Sequence, residues 1–319
     1  MEKNKVGVIT FKVCDKTQEM MSEELDWCKR PTTPPYAKWQ AKDGDTVITL
    51  YESGKVVFQG KDADLASDFW ITSEKINSGK VDVKNSANKE KKEKLEYIDP
   101  KIYYANTIGS DEVGTGDYFG PIVVTATYVA KENIPFLEDL GVKDSKKMTD
   151  EKILEVVPKV IKVIPYESII LSNKEYNEKY DEKTNMNKIK AIMHNKVLFS
   201  MREKQPDYNY IVVDQFAMPY VYFNYLKSSS NVVKNITFMT KAEDKCLSVA
   251  CASIISRYIF LKEFDKLGNN LNLSLLKGAS DKVDEQGVLI AKQYGIDKLS
   301  DIAKLNFKNT EKIKAKLEN

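Results

Sequence analysis

Ile108-Gly109-Ser110-Asp111-Glu112-Val113-Gly114-Thr115-Gly116-Asp117-Tyr118-Phe119-Gly120-Pro121 runs straight into Ile122-Val123-Val124-Thr125-Ala126-Thr127-Tyr128-Val129. Apolar and β-branched segments flank a glycine-rich centre, so the stretch reads as strand, turn and strand, with Asp111 and Glu112 where the first strand ends. Two adjacent acids are an odd way to end a strand. Successive side chains of a regular strand point to opposite faces, so these carboxylates converge only if the strand breaks at them, which Gly114 and Gly116 permit. Converging carboxylates repel unless a cation stands between them. A plain acidic hairpin, in which Asp and Gly serve turn geometry alone, is the competing reading.

The chain around this stretch is long enough, at 319 residues, for one large domain or two ordinary ones, and 42% hydrophobic residues exclude disorder throughout. Lys and Arg number 49 against 47 Asp and Glu, so a nucleic-acid partner has to be met by a local patch and not by overall charge. The four cysteines, Cys14, Cys28, Cys246 and Cys251, form no CxxC pair and His194 is the single histidine, which argues against a Cys/His zinc site and for reduced, mostly buried thiols. No apolar run approaches the roughly 18 residues of a membrane span, and the first residues lack an apolar leader, so a soluble cytosolic (cytoplasmic) protein is expected.

Upstream, Val6 to Val13 reads as a strand and Gln18 to Cys28 as a helix. After Pro31, Pro34 and Pro35, three strands follow at Tyr36–Ala41, Thr46–Tyr51 and Lys55–Gln59, joined by Lys-Asp-Gly-Asp and Glu-Ser-Gly-Lys turns. Helical spacing returns from Lys61 to Phe69, completing an α+β unit over residues 1–80 that has no cluster of catalytic residue types. Residues 81–100 read as a charged linker, and the run Lys89 to Lys94 as a solvated face. The second domain, 101–319, opens with strands at Tyr104–Gly109 and Pro121–Ala130, and Thr149 caps the helix after Lys143 to Lys147. Further strands are expected at Ser168–Ser172, Tyr210–Val213 and Ile236–Met239, and helices at Asn187–Arg202, Met218–Leu226 and Asp244–Phe260. Strands separated by helices make a mixed α/β sheet, followed by helical segments at Lys282–Gln293 and Ile296–Leu305 and one from Thr310. His194 falls on the polar side of its helix, with Lys190 and Lys196, which predicts a surface or groove position.

Acids recur at one kind of place. Asp111 and Glu112 end one strand, Asp214 ends another and Glu243 starts a helix after a third, and ligand crevices of open α/β sheets form at strand ends. Four carboxylates without a histidine suit hard divalent cations held by oxygen, Mg²⁺ or Mn²⁺. Two such ions clamp the attacking and leaving oxygens of an in-line phosphoryl displacement, so phosphodiester chemistry is the reading. Taken singly, Asp214 could instead cap the helix that follows it, and Glu243 could be a favourable first-turn charge.

Gly109 to Pro121, Val142-Lys143-Asp144-Ser145-Lys146, Val212 to Phe216, and Lys241-Ala242-Glu243 with Ser248 to Tyr258 together resemble the ordered motifs of bacterial ribonuclease HIII, in the ribonuclease HII/HIII family. Leu276 to Ser280 with Val283, and Ala303 to Phe307, are similar to later ones, and Tyr51 to Lys61 is similar to a hairpin of that family's small N-terminal domain, which resembles half of the TATA-binding protein fold. The resemblance implies a ribonuclease H-like mixed sheet with flanking helices and an endonuclease that cuts the RNA strand of RNA–DNA hybrids, leaving 5′-phosphate and 3′-hydroxyl ends. It implies two Mg²⁺ or Mn²⁺ ions on Asp111, Glu112 and Asp214, with Glu243 completing the carboxylate set. It also places the backbone of Gly114, Thr115 and Gly116 near the substrate's 2′-hydroxyls, and Lys146 and Lys143 near phosphates.

Two positions depart from the pattern: Val113 stands where some relatives carry a small residue, and Asn306 where the tail motif has histidine. A monomer without an obligate protein partner is expected. The rival readings are ribonuclease HII-like excision of single ribonucleotides from DNA and a non-catalytic nucleic-acid-binding protein.

Overall fold

A computed structural model describes residues 7–43, 46–60, 63–85, 99–181 and 184–318. Val6, the second half of the Lys42 to Asp45 turn, Lys61 and the run 89–94 lie outside these residues. Contacts divide the chain into two compact units, residues 1–95 and 96–319.

The first unit is β1 (Gly7–Lys12), α1 (Asp15–Glu24), β2 (Ala37–Asp43), β3 (Thr46–Tyr51), β4 (Lys55–Gly60), α2 (Ala63–Ser78) and β5 (Lys84–Asn85). The strands form an antiparallel sheet in the order β2-β3-β4-β1-β5. Within the stretch read as linker, Lys84 and Asn85 thus add a short edge strand. Period-two alternation sends Ile9, Phe11, Ile48, Leu50, Val56 and Phe58 into a buried layer and leaves Lys12, Lys55 and Gln59 exposed. Helix α2 runs nine residues beyond the Phe69 end expected from periodicity, with Phe69, Trp70 and Ser73 buried.

The second unit comprises α3 (Pro100–Tyr103), β6 (Thr107–Val113), β7 (Ile122–Val129), α4 (Ile134–Asp139), α5 (Asp150–Val160), β8 (Tyr166–Leu171), α6 (Asn173–Lys179), α7 (Met186–Lys204), β9 (Tyr210–Asp214), α8 (Pro219–Tyr225), β10 (Ile236–Met239), α9 (Leu247–Asn270), α10 (Asp281–Tyr294), α11 (Leu299–Ile302) and α12 (Lys308–Glu318). Its sheet is mixed, in the order β10-β9-β6-β7-β8, with β10, β9 and β6 parallel and β7 antiparallel to both neighbours. All eight residues of β7 are buried, as a strand covered on both faces requires. Thr149 caps α5 as expected, its hydroxyl accepting from the Lys152 amide at 3.3 Å.

One face of the sheet is covered by α7, whose Ile189, Met193, Val197 and Met201 pack on Ile108, Val124, Ala126, Ile211 and Val213. The other is covered by α9, and there the approach is close because one strand position has no side chain. A Cβ on Gly109 would sit 2.4 Å from the Val249 backbone nitrogen, while Thr107 and Thr127 bond to Ser248 at 2.9 and 2.7 Å. Helix α9 therefore lies directly on β6 just before the two acids. Gly109→Ala should force helix and strand apart and cost about 2–3 kcal/mol, read as a lower urea midpoint; an unchanged midpoint would contradict this packing.

Candidate active site

Alternation governs β6 to its end. Thr107, Gly109 and Asp111 face α9, whereas Ile108, Ser110 and Glu112 face α7, and pairing with β7 continues without a shift through Asp111, Glu112 and Val113. The break expected at the two acids is absent, so they leave the strand on opposite faces. What brings them near the other acids is a fork. Strand β9 pairs with β6 only as far as Ser110 and Val213, leaving that edge of β6 open from Asp111 onward. Asp214 ends β9 at the fork, and its Oδ1 accepts from the Ala242 amide at 2.9 Å, which ties it to the tight turn Ala242–Asp244 that carries Glu243. Lys241, in the left-handed region at φ 52°, makes the sharp entry into that turn. Asp214 is not a helix cap, because Met218 holds the capping position of α8.

The electrostatics record how close the acids come. Burial pushes the Asp111 carboxyl well above the ordinary range, and the charges of Glu112 and Asp214 push it further. Burial also carries Asp214 up to about 6, with Glu243 and Glu112 adding to the rise and the Ala242 amide opposing it. Burial would raise Glu112 as well, but Lys190 and His194 outweigh it and hold Glu112 ionised, well below the ordinary range. Glu243 is engaged on one oxygen only: Oε1 lies 2.6 Å from the Lys146 ammonium, while Oε2 is buried with no hydrogen-bond partner. Among the described residues, no three His, Cys, Asp or Glu side chains already stand as a cage for a metal ion. The donors nonetheless suit one. They are hard oxygens, two have pKa values raised by burial and by the neighbouring acids, and one is a buried oxygen without a partner.

His194 corrects the sequence reading. It is fully buried on the sheet-facing side of α7, with Nδ1 2.8 Å from Ser110 Oγ and Nε2 2.9 Å from Glu112 Oε2. Burial lowers its pKa and Glu112 opposes the drop. Lys190, one helical turn earlier, is buried too, paired with Glu112 Oε1 and 4.1 Å from the centre of the Phe216 ring. Sequence reasoning missed this pair as part of the site. The available signal was two polar residues at i and i+4 inside a helix otherwise apolar on that side.

The expected substrate residues are scattered more widely. Gly114 has φ +94° and its Cβ would collide with the Pro121 carbonyl at 2.1 Å, so its glycine serves the turn itself. Gly116 is exposed and a Cβ there would meet nothing within 4 Å, with half-buried Thr115 between them. Lys143 is exposed and lies over the Tyr103 ring at 5.6 Å. Lys146 bridges Glu243 and, at 3.0 Å, Asp244; burial works against its ammonium, but the two acids outweigh it and raise its pKa. Val113 packs beside the cluster containing Tyr118, Phe119 and Phe260, and Asn306 accepts from the Tyr176 hydroxyl at 3.0 Å.

Comparison with known proteins gives the same family from several directions. A family model described as Ribonuclease HII matches residues 108–310, and one described as a domain of unknown function, DUF3378, matches residues 8–82. Ribonuclease HIII of Staphylococcus aureus (strain Newman) is 39% identical over 309 residues, covering 95% of this chain and 96% of that one. Among solved structures, Bst-RNase HIII in complex with Mn²⁺ is similar at TM-score 0.67 and 34% identity, covering 98% of this chain and 99% of that one. The ribonuclease H2 of Pyrococcus horikoshii OT3 is similar at TM-score 0.57 and 26% identity, covering 67% of this chain and 99% of that one.

Asp214 gives a stability prediction with a definite sign. Its folded pKa lies above the unfolded one, so the folded state binds the extra proton and stability without divalent ions falls as pH rises from about 4 through about 6. Asp214→Asn keeps the acceptor for Ala242 and removes the charge. In chelator it should therefore melt above the wild type at pH 7.5, with the gap closing toward pH 4; a gap independent of pH would contradict the crowding of these acids.

Proposed function

The chain belongs to the ribonuclease HII/HIII family, and on that premise we propose that it is a divalent-metal-dependent endonuclease hydrolysing the RNA strand of RNA–DNA hybrids, with 5′-phosphate and 3′-hydroxyl products. The observation that carries the reading is the fork between β6 and β9, where Asp111, Glu112, Asp214 and Glu243 crowd one another and Glu243 Oε2 is left buried without a partner. Asp111, Glu112 and Asp214 would hold Mg²⁺ or Mn²⁺, with Glu243 completing the oxygen set. When bound, two such ions activate the attacking water and neutralise charge on the leaving 3′-oxygen.

The protein's own groups fix the aim of these acids. The Glu112 amide donates to Asp111 Oδ1 at 2.7 Å, the Ser256 hydroxyl donates to the Asp111 carbonyl at 3.2 Å, and the Ala242 amide steers Asp214. Lys146, beside Glu243, is the cation placed to meet a substrate phosphate once the acid's charge is otherwise answered, and Lys143 is exposed within the same turn. Gly116, open on its side-chain side, lets a ribose come close to the Gly114, Thr115 and Gly116 backbone, where the 2′-hydroxyl separates RNA from DNA. In the N-terminal unit, 1–80, the exposed Lys12, Lys55 and Gln59 on one face of the sheet suit a duplex backbone, and 81–100 joins it to the catalytic unit 101–319. All four acids come from one chain, in keeping with a monomer, and the four free cysteines suit the reducing cytoplasm.

Substrate choice separates this function from single-ribonucleotide excision. A loop that meets several consecutive 2′-hydroxyls gains from each, and losing a buried partner costs roughly 1–3 kcal/mol, so losing two slows cleavage roughly thirty-fold or more. Rapid cutting is expected within a run of about four or more ribonucleotides opposite DNA, and little at a lone ribonucleotide in duplex DNA, with activity lost in EDTA and restored by Mg²⁺ or Mn²⁺. Equal kcat/KM on the two substrates would favour the excision activity, and full cleavage in EDTA would remove the metal-dependent reading.

A further inference from the structure

The C-terminal segment after α11 contains a buried lysine that none of the site chemistry above uses. Lys304 is 0% exposed, and its Nζ donates to the carbonyls of Asp117 at 2.7 Å and Gly120 at 2.6 Å. Its backbone amide donates to the Tyr118 carbonyl at 2.9 Å, the Gly120 amide donates to the Ile302 carbonyl at 2.9 Å, and Phe119 and Ala303 form an isolated antiparallel bridge between them. Burial pushes the Lys304 ammonium down to about 7, against the pull of Asp117. Keeping an ammonium in such a place is costly unless its protons are fully used, and here two of them are spent on main-chain carbonyls of a single loop.

That loop is Gly114 to Gly120, and its two ends are already fixed in different ways. Gly114 and Gly120 have φ of +94° and +85°, and each lies against an α9 ring, Phe260 or Phe264, so neither has room for a side chain. Gly278 donates to Asp117 Oδ1 at 2.6 Å and accepts from the Tyr118 amide at 2.9 Å, and Asn173 Nδ2 joins Lys304 on the Gly120 carbonyl at 2.9 Å. The centre, at Gly116, faces open space. A loop clamped along its second half and open at its tip is preorganised to meet a ligand without moving.

We propose that Lys304 is a positioning residue for substrate recognition, holding the Asp117 to Gly120 backbone so that the Gly114 to Gly116 tip meets the 2′-hydroxyls of the RNA strand. This rests on the reading of that loop as the ribose-facing element. Lys304 touches neither the substrate nor the acids; it acts through main-chain carbonyls, so its loss loosens the aim of the loop and leaves the ion-binding acids in place.

The test couples the side chain to the substrate's hydroxyls. Hybrids in which single ribonucleotides near the cut are replaced, one position at a time, by deoxyribonucleotides are compared between the wild type and two variants, Lys304→Met and Lys304→Gln. Met fills the space without orphaning a charge, and Gln keeps a neutral donor should Met fail to fold. The wild type should lose roughly ten-fold in kcat/KM at the contacted positions. In the folded variants that penalty should shrink to about two-fold, with KM for the all-ribose hybrid raised and Mn²⁺ affinity by calorimetry unchanged. Variants that keep the full wild-type penalty, or lose Mn²⁺ affinity along with it, would overturn the role of Lys304. Absence of any penalty in the wild type would instead overturn the loop reading on which the role depends.

Discussion

Mutual repulsion among Asp111, Glu112, Asp214 and Glu243 is what the catalytic unit is arranged to hold in check. Three devices place the four acids: alternation at the end of β6 for the first two, the end of β9 for Asp214 and a left-handed entry at Lys241 for Glu243. Burial then strengthens every interaction among them. The structure answers from both sides of the sheet, with the Lys190 ammonium and the His194 ring on the α7 face against Glu112, and Lys146 against Glu243. Among the described residues Asp111 and Asp214 form no ion pair of this kind, Asp214 feeling Lys190 only weakly, and theirs are the carboxyls of the four with raised pKa values. The fork is thus partly neutralised by its own side chains and still short of positive charge where β9 leaves β6.

The rest of the unit keeps that fork open and rigid. Helix α9 can lie on β6 only because Gly109 has no side chain, and the same helix supplies Ser256 to the Asp111 carbonyl and Phe260 and Phe264 to the glycine loop. One helix therefore links the acids to the loop beside them. The C-terminal segment adds the second clamp, through Gly278 before α10, Lys304 after α11 and Thr310 in α12, the last 3.1 Å from the Tyr118 hydroxyl.

Much of this was legible in the sequence. The β6 and β7 strands, the glycine turn, Thr149 as a cap, the Ile236–Met239 strand and the four acids all follow from local rules, since alternation, capping and turn chemistry act over a few residues. The acids' shared place at strand ends already points to a common crevice, and the motif resemblance implies the same set of acids. What escaped were pairings across elements. Helical periodicity identifies polar positions but cannot tell a solvated lysine from one buried against a carboxylate 78 residues earlier, so it leaves Lys190 merely polar and points His194 to a surface or groove. Nor does local sequence reveal that β9 parts from β6 after Ser110, so a broken strand was expected where an open edge does the work. The pairing of Lys146 with Glu243 is equally hidden, because Glu243 arrives from a turn nearly a hundred residues away.

The most direct measurement is a crystal structure of the protein soaked in Mn²⁺, with anomalous scattering to locate the ion. The account predicts Mn²⁺ at the fork, ligated by Asp111 and Asp214, with a Glu112 oxygen drawn from Lys190 toward the ion and Glu243 Oε2 engaged. Mn²⁺ bound elsewhere, or at the fork with Glu112 still held by both Lys190 and His194 and Glu243 Oε2 still without a partner, would contradict it.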